Sequence, residues 1–177
     1  MLAYVQAFIN IALRRSGPED LPDSKFLLGL TLAVYLVAQV PLALIAYGPT
    51  GVLVSTVTVS LALLFGGLWV LLRLTGHSAR YQRTVTAMLG IGALLSTLSI
   101  PFSLWRQSLL GAELSVAMPS TFLFAIMLWS ISIDGHILAR ALSRPYGIGL
   151  LVAIVYFFLQ TTILFELMPN GVGNQPG

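Results

Sequence analysis

Residues 26–47, FLLGLTLAVYLVAQVPLALIAY, run for 22 positions without a charged side chain. At about 1.5 Å per residue a helix of that length reaches roughly 33 Å, the thickness of a bilayer's hydrocarbon core. The stretch therefore reads as a transmembrane helix. Lipid offers the backbone no hydrogen-bonding partner, so every later segment must be another helix or lie outside the membrane. Composition agrees: 57% of the 177 residues are hydrophobic and 8% are charged, against roughly 25% charged in a soluble domain. So few charges cannot cover a water-facing surface.

Four further spans follow, giving an all-α integral membrane protein: a five-transmembrane-helix bundle preceded by a short amphipathic interfacial helix. In residues 1–15, Leu2, Val5, Ile9 and Leu13 recur at helical spacing, and Gln6, Asn10 and Arg14 form a polar stripe, the pattern of a helix lying in the headgroup region. A signal peptide is the competing reading, but Arg14 and Arg15 follow the apolar part instead of preceding it. An acidic, proline-bearing linker completes residues 1–25, with Asp23 or Ser24 placed to cap the first span. Its acids lack the regular alternation of a calcium loop. The transmembrane domain covers residues 26–168, and residues 169–177 read as a disordered tail.

Span one carries Pro41, a kink position. Residues 48–51, Gly-Pro-Thr-Gly, allow only a tight reversal into span two, 52–74, whose Ser55, Thr56, Thr58 and Ser60 can bond within or between helices. Span three, 84–105, combines Gly90, Gly92 and Ser96, small residues that permit close helix approach, with a second kink at Pro101. Span four is uncharged only from Met118 to Ile133, too short to cross, so the helix must continue through Asp134 and His136 towards Ala139. Span five covers 148–167, with Glu166 at its far end.

Lys and Arg are distributed unevenly over the six flanking segments: alternate segments hold eight against one. The positive-inside rule then puts the N-terminus in the cytoplasm and the C-terminus outside.

An acid at mid-span costs roughly 2.5–3.5 kcal/mol on insertion scales, which makes Asp134 a functional candidate. The expected arrangement is a pair between Asp134 and Arg73, Arg80 or Arg83 near the inner boundary; a proton or ion relay is the alternative. Asp134 and His136 stand about 200° apart around one helix, which excludes a simple dyad and an HExxH zinc site. His136 shares its face with Arg140, while Asp134 lines up with Ser130. Arg106 and Glu166 are expected to meet at the outer surface. There is no Cys, hence no thiolate ligand or cysteine nucleophile. No GxSxG elbow, P-loop or dinucleotide fingerprint is present either. Catalytic, cofactor and metal sites are therefore not expected. Basic residues scattered between apolar runs, with a net charge of +3, do not form a nucleic-acid face.

Two stretches, GHSARYQRTVTAMLGIGALL (76–95) and IDGHILARALSRPYGIGL (133–150), resemble the Yip-type (Ypt-interacting) five-pass membrane domain and its bacterial relatives. The likeness covers roughly residues 26–167 and loose positions such as His136, Arg140 and Ala141. It implies a compact, non-enzymatic five-helix bundle with a cytoplasmic N-terminus, whose better-studied relatives act as trafficking scaffolds or adaptors. The N-terminal region, about two dozen residues, is shorter than in the eukaryotic members, which points to a bacterial inner membrane. The functional expectation is a scaffold or accessory subunit working through helix contacts with other membrane proteins or with itself, its basic face meeting anionic headgroups. A small transporter or channel subunit using Asp134 is the alternative. For the sidedness, an alkaline phosphatase fused to the C-terminus should be active and a cytosolic reporter at the same site silent.

Overall fold

The computed structural model describes residues 2–47 and 52–167, so the expected turn at 48–51 and the tail lie outside the described residues. A short helix, α1 (Leu2–Ala12), precedes five long ones: α2 (Lys25–Tyr47), α3 (Val52–Leu74), α4 (Tyr81–Gly111), α5 (Ala117–Ala141) and α6 (Tyr146–Leu167). All five long helices are apolar and long enough to span a bilayer. Single 3-10 turns at Pro18–Asp20 and Ser78–Arg80 lead into α2 and α4. Of the two candidate caps Ser24 is used: its Oγ accepts the Leu27 N–H at 3.3 Å. Pro41 and Pro101 both lie inside helices, α2 and α4. α4 is longer than the expected span because the helix continues through Pro101 as far as Gly111; at about 46 Å it outreaches the hydrocarbon core, and Arg106 is carried on it.

α4 is the central helix, with ten buried residues between Thr84 and Leu95. α2 and α5 pack extensively along it, and α6 packs on α5; α3 touches α2, α4 and α6 over only a few residues each. Close approach is made through small residues. A Cβ on Gly92 would meet the Tyr35 ring of α2 at 2.8 Å, and one on Gly90 would overlap the Phe8 ring of α1. The tightest contact is between α5 and α6, where a Cβ on Gly149 would stand 2.5 Å from the Ala139 backbone nitrogen and one on Gly135 2.8 Å from Leu150 Cα. Apolar side chains gain little from leaving lipid for protein, so such backbone approach, with its dispersion contacts, is what joins these helices. At the opposite end, Phe102 of α4 stacks on Phe122 of α5 with centroids 5.0 Å apart.

α1 has three faces. Phe8, Ile11 and Ala12 are buried against the bundle; Val5 and Ile9 of the predicted apolar stripe are exposed, as is Leu13 just past the helix end, in position to meet lipid; Gln6 and Asn10 occupy the remaining polar side, whereas Arg14, at a φ of 57°, lies beyond the helix and leaves the stripe. The Phe8 contact at Gly90 lies nine residues, about 13 Å, along α4 from its start.

The α5–α6 contact generates a test. Gly149→Ala places a Cβ against backbone that cannot yield, and should lower the thermal stability of the detergent-solubilised protein by about 1–3 kcal/mol. Gly147→Ala, where a Cβ meets nothing within 4 Å, should leave the melting curve within error of the parent.

Candidate functional site

The sparse packing of α3 leaves a cavity of about 310 Å³ between the five spans. Each helix turns polar side chains into it: Tyr35 and Gln39 from α2, Ser60 from α3, Ser96 and Ser99 from α4, Ser130 and Asp134 from α5, Tyr156 and Gln160 from α6. Several of these occur as i, i+4 pairs, which a helix presents on a single face. Asp134 sits seven residues, about 10 Å, along α5 from its last residue, Ala141.

Part of the lining is pre-oriented. The Ser96 hydroxyl donates to Gln39 Oε1 at 3.1 Å, and Gln39 Nε2 donates to the Tyr35 hydroxyl at 2.7 Å. Tyr35 is thereby an acceptor in this chain, and its own proton is left for the cavity that Asp134 also lines. Ser99 instead donates to its own helix, at Leu95 O. A second cavity of about 680 Å³ shares Gln39, Leu42 and Ser60 with the first and extends past Thr56, Ser103 and Gln107 to Arg106 and Gly111 at the end of α4. Polar lining thus runs from Arg106 to Asp134. Towards the other end of the bundle, Leu68, Leu72, Val85, Ile133, Ile137 and Leu138 are buried and fill the space with apolar side chains.

The expected pair between Asp134 and an arginine does not form. Among the described residues no arginine and no hydrogen-bond donor reaches the carboxylate, because each candidate is occupied elsewhere. Arg73 lies over the Trp69 ring, 4.8 Å from its centroid. Arg80 Nη1 donates to Arg140 O, Ala141 O and Ser143 Oγ at 2.9, 3.1 and 2.7 Å, closing the open carbonyls at the end of α5. Arg83 Nη1 approaches Glu19 O at 3.5 Å. The physical reason is depth together with rotation: these arginines stand at the helix ends, whereas Asp134 lies about 10 Å along α5 from its last residue and is turned into the central cavity. The outer pair is absent likewise: Arg106 lines the second cavity and Glu166 is exposed, without an ion pair between them among the described residues.

His136 faces away from Asp134. Its Nε2 lies 3.0 Å from Ser16 O, and because a carbonyl can only accept, Nε2 carries the hydrogen. The same face of α5 holds the preceding linker at three successive turns: Ser132 Oγ accepts from Arg14 at 3.3 Å, His136 donates to Ser16 O, and Arg140 pairs with Glu19 at 3.3 Å. Arg14 also lies over the Tyr146 ring, 5.6 Å from its centroid. Residues 14–19 thus form a strap fastened to α5 at i, i+4 and i+8.

Of the residues singled out from the sequence, Asp134, Gly92 and Ser96 meet at the cavity, His136 and Arg140 hold the strap, and Arg80 and Arg83 gather beside Arg140. Tyr35, Gln39, Tyr156 and Gln160 as site residues were not foreseen; the signal was present as polar pairs four residues apart in apolar helices. Among the described residues no group of three His, Cys, Asp or Glu side chains comes together. No family model matches this chain, and no curated protein or solved structure matches it either.

The strap yields a prediction. His136→Ala removes its middle fastening and should speed tryptic cleavage after Arg14 and Arg15 about threefold to tenfold, the equivalent of one net hydrogen bond of about 0.7–1.4 kcal/mol. Ser130→Ala, on the cavity side, should leave that rate unchanged.

Proposed function

We propose that the protein binds a small cation, the proton included, at Asp134 and passes it between the Arg106 end of the bundle and the other side of the membrane. The observation that carries the reading is a carboxylate inside a five-helix bundle with no counter-charge among the described residues, in a cavity to which every span contributes a hydroxyl or amide group between apolar side chains. An isolated charge in this setting is costly, and the cost falls when a proton or cation joins it. Tyr, Ser and Gln side chains supply the neutral oxygens that replace water around such a guest. The polar lining opens towards Arg106 while apolar packing closes the opposite side, an arrangement suited to access from one side at a time. α3, the most loosely packed span, is the element best suited to move.

The reading is non-enzymatic and places the protein in a bacterial cytoplasmic membrane, with the arginine-rich end and the N-terminus inside; membership of the Yip-type family belongs to the same proposal. Of the three features behind the scaffold expectation, the small residues of α4 are taken up within the chain, Gly90, Gly92 and Ser96 being engaged by Phe8, Tyr35 and Gln39; the amphipathic α1 and the arginine-bearing face remain as its support.

Reconstitution tests this. Purified protein in vesicles loaded with a pH-sensitive dye should collapse an imposed proton or monovalent-cation gradient, and Asp134→Asn, which keeps the shape, should accumulate normally and lower the rate at least tenfold. Absence of flux from the parent protein, or equal flux from Asp134→Asn, would overturn the proposal.

A further inference from the structure

The arginine-rich end holds a third polar cavity, separate from the other two, of about 550 Å³. Arg80 and Arg83 line it from the turn into α4 and its first residues, Arg140 and Arg144 from the end of α5 and the turn after it, and Glu19 from the strap is its only acid among the described residues. Four guanidinium groups against one carboxylate leave three positive charges uncompensated, equal to the net charge of the entire chain. The donors also outnumber their acceptors. Arg83 Nε is buried and without a hydrogen-bond partner, no acceptor among the described residues meets the Arg144 guanidinium, and no side chain caps the first turn of α4. The sidedness of a membrane protein requires only that cations lie near the helix ends. It does not require that four of them converge on one concavity, or that a guanidinium edge be buried with nothing to donate to; like charges brought together in this way repel one another.

We infer that this cavity is a binding site for a phosphate group, either the headgroup of an anionic phospholipid at the arginine-side surface or a soluble phosphate. Guanidinium forks match phosphate oxygens in charge and in geometry, and an anion in the cavity would satisfy Arg83 Nε and relieve the repulsion between α4 and α5. The strap closes one side of the site through Glu19, which accepts from Arg140 at 3.3 Å and from Arg83 through its backbone oxygen. A bound phosphate would compete with Glu19 for Arg140, linking occupancy to how firmly residues 14–19 are held.

The test uses the full chain in phosphatidylcholine nanodiscs, read by thermal denaturation, since a ligand bound only to the folded state raises the midpoint. Inorganic phosphate is titrated in one series and phosphatidylglycerol is mixed into the discs in another. Stabilisation by both identifies a general phosphate site, by phosphatidylglycerol alone a headgroup site, and by inorganic phosphate alone a soluble-anion site; each supports the inference. Arg83→Gln should weaken the effective ligand at least tenfold, while Arg73→Gln, which alters a cation over Trp69 outside the cavity, should change it less than twofold. Should Arg83→Gln fail to fold, Arg144→Gln, an exposed position, serves in its place with the same expectation. No stabilisation by either ligand, or equal losses in Arg73→Gln and the cavity variant, would overturn the inference by reducing the effect to diffuse surface charge.

Discussion

Lipid as solvent is the constraint from which the rest of this structure follows. It forces every backbone donor and acceptor of the spans into helices and removes the hydrophobic gain that joins helices in water. What remains is contact, and contact is closest where side chains are smallest. Gly149 on Gly135 and Ala139, Gly92 under Tyr35, and Gly90 under Phe8 draw α1, α2, α5 and α6 into an assembly around α4. The aromatic stack of Phe102 on Phe122 holds the opposite end of the α4–α5 pair.

Among the described residues α3 makes no contact as close, a Cβ on Gly67 meeting the Tyr156 ring only at an ordinary 3.5 Å. The cavity is the consequence of that one loosely seated helix, and its polarity is the consequence of where the remaining helices turn their few hydroxyl, amide and carboxyl groups. The exposed surface of the spans is apolar: Phe122, Leu151, Phe158 and Phe165 face outward, while Asp134, Gln39 and Tyr35 face inward. This is the inverse of a soluble bundle and the arrangement lipid requires, since a polar group turned outward would be left unsatisfied. The Ser96–Gln39–Tyr35 chain shows three interior groups satisfying one another in sequence, while Asp134 is the one ionisable carboxylate of the lining and has no hydrogen-bond donor among the described residues.

The two ends of the bundle are chemically different. The end bearing Arg106 opens into the polar cavities; the opposite end is packed with leucine, isoleucine and valine and finished by arginines. There α5 serves both sides of the molecule at once, with Asp134 on its inner face and Ser132, His136 and Arg140 on the face that fastens the strap. Residues 14–19 are thus part of the folded domain. Arg80, by bonding the carbonyls of Arg140 and Ala141, ties the start of α4 to the end of α5 and sets the width of the basic cavity between them.

The sequence by itself determined that the chain is five membrane helices with a short helix before them, because burial in lipid acts on windows of about 20 residues and those windows are read directly from side-chain chemistry. It marked Asp134 as unusual and set it on the face opposite His136, since both follow from helical period. Tertiary structure alone decided which groups meet. Tyr35, Gln39, Ser60, Ser96 and Tyr156 lie on four different helices, and no local pattern states how far each helix is rotated or that α3 stands away from the others. For the same reason the arginines expected beside Asp134 close the end of α5, cross Trp69 or line their own cavity: distance along a helix could be counted from the sequence, but the direction in which each side chain points was set by packing between helices.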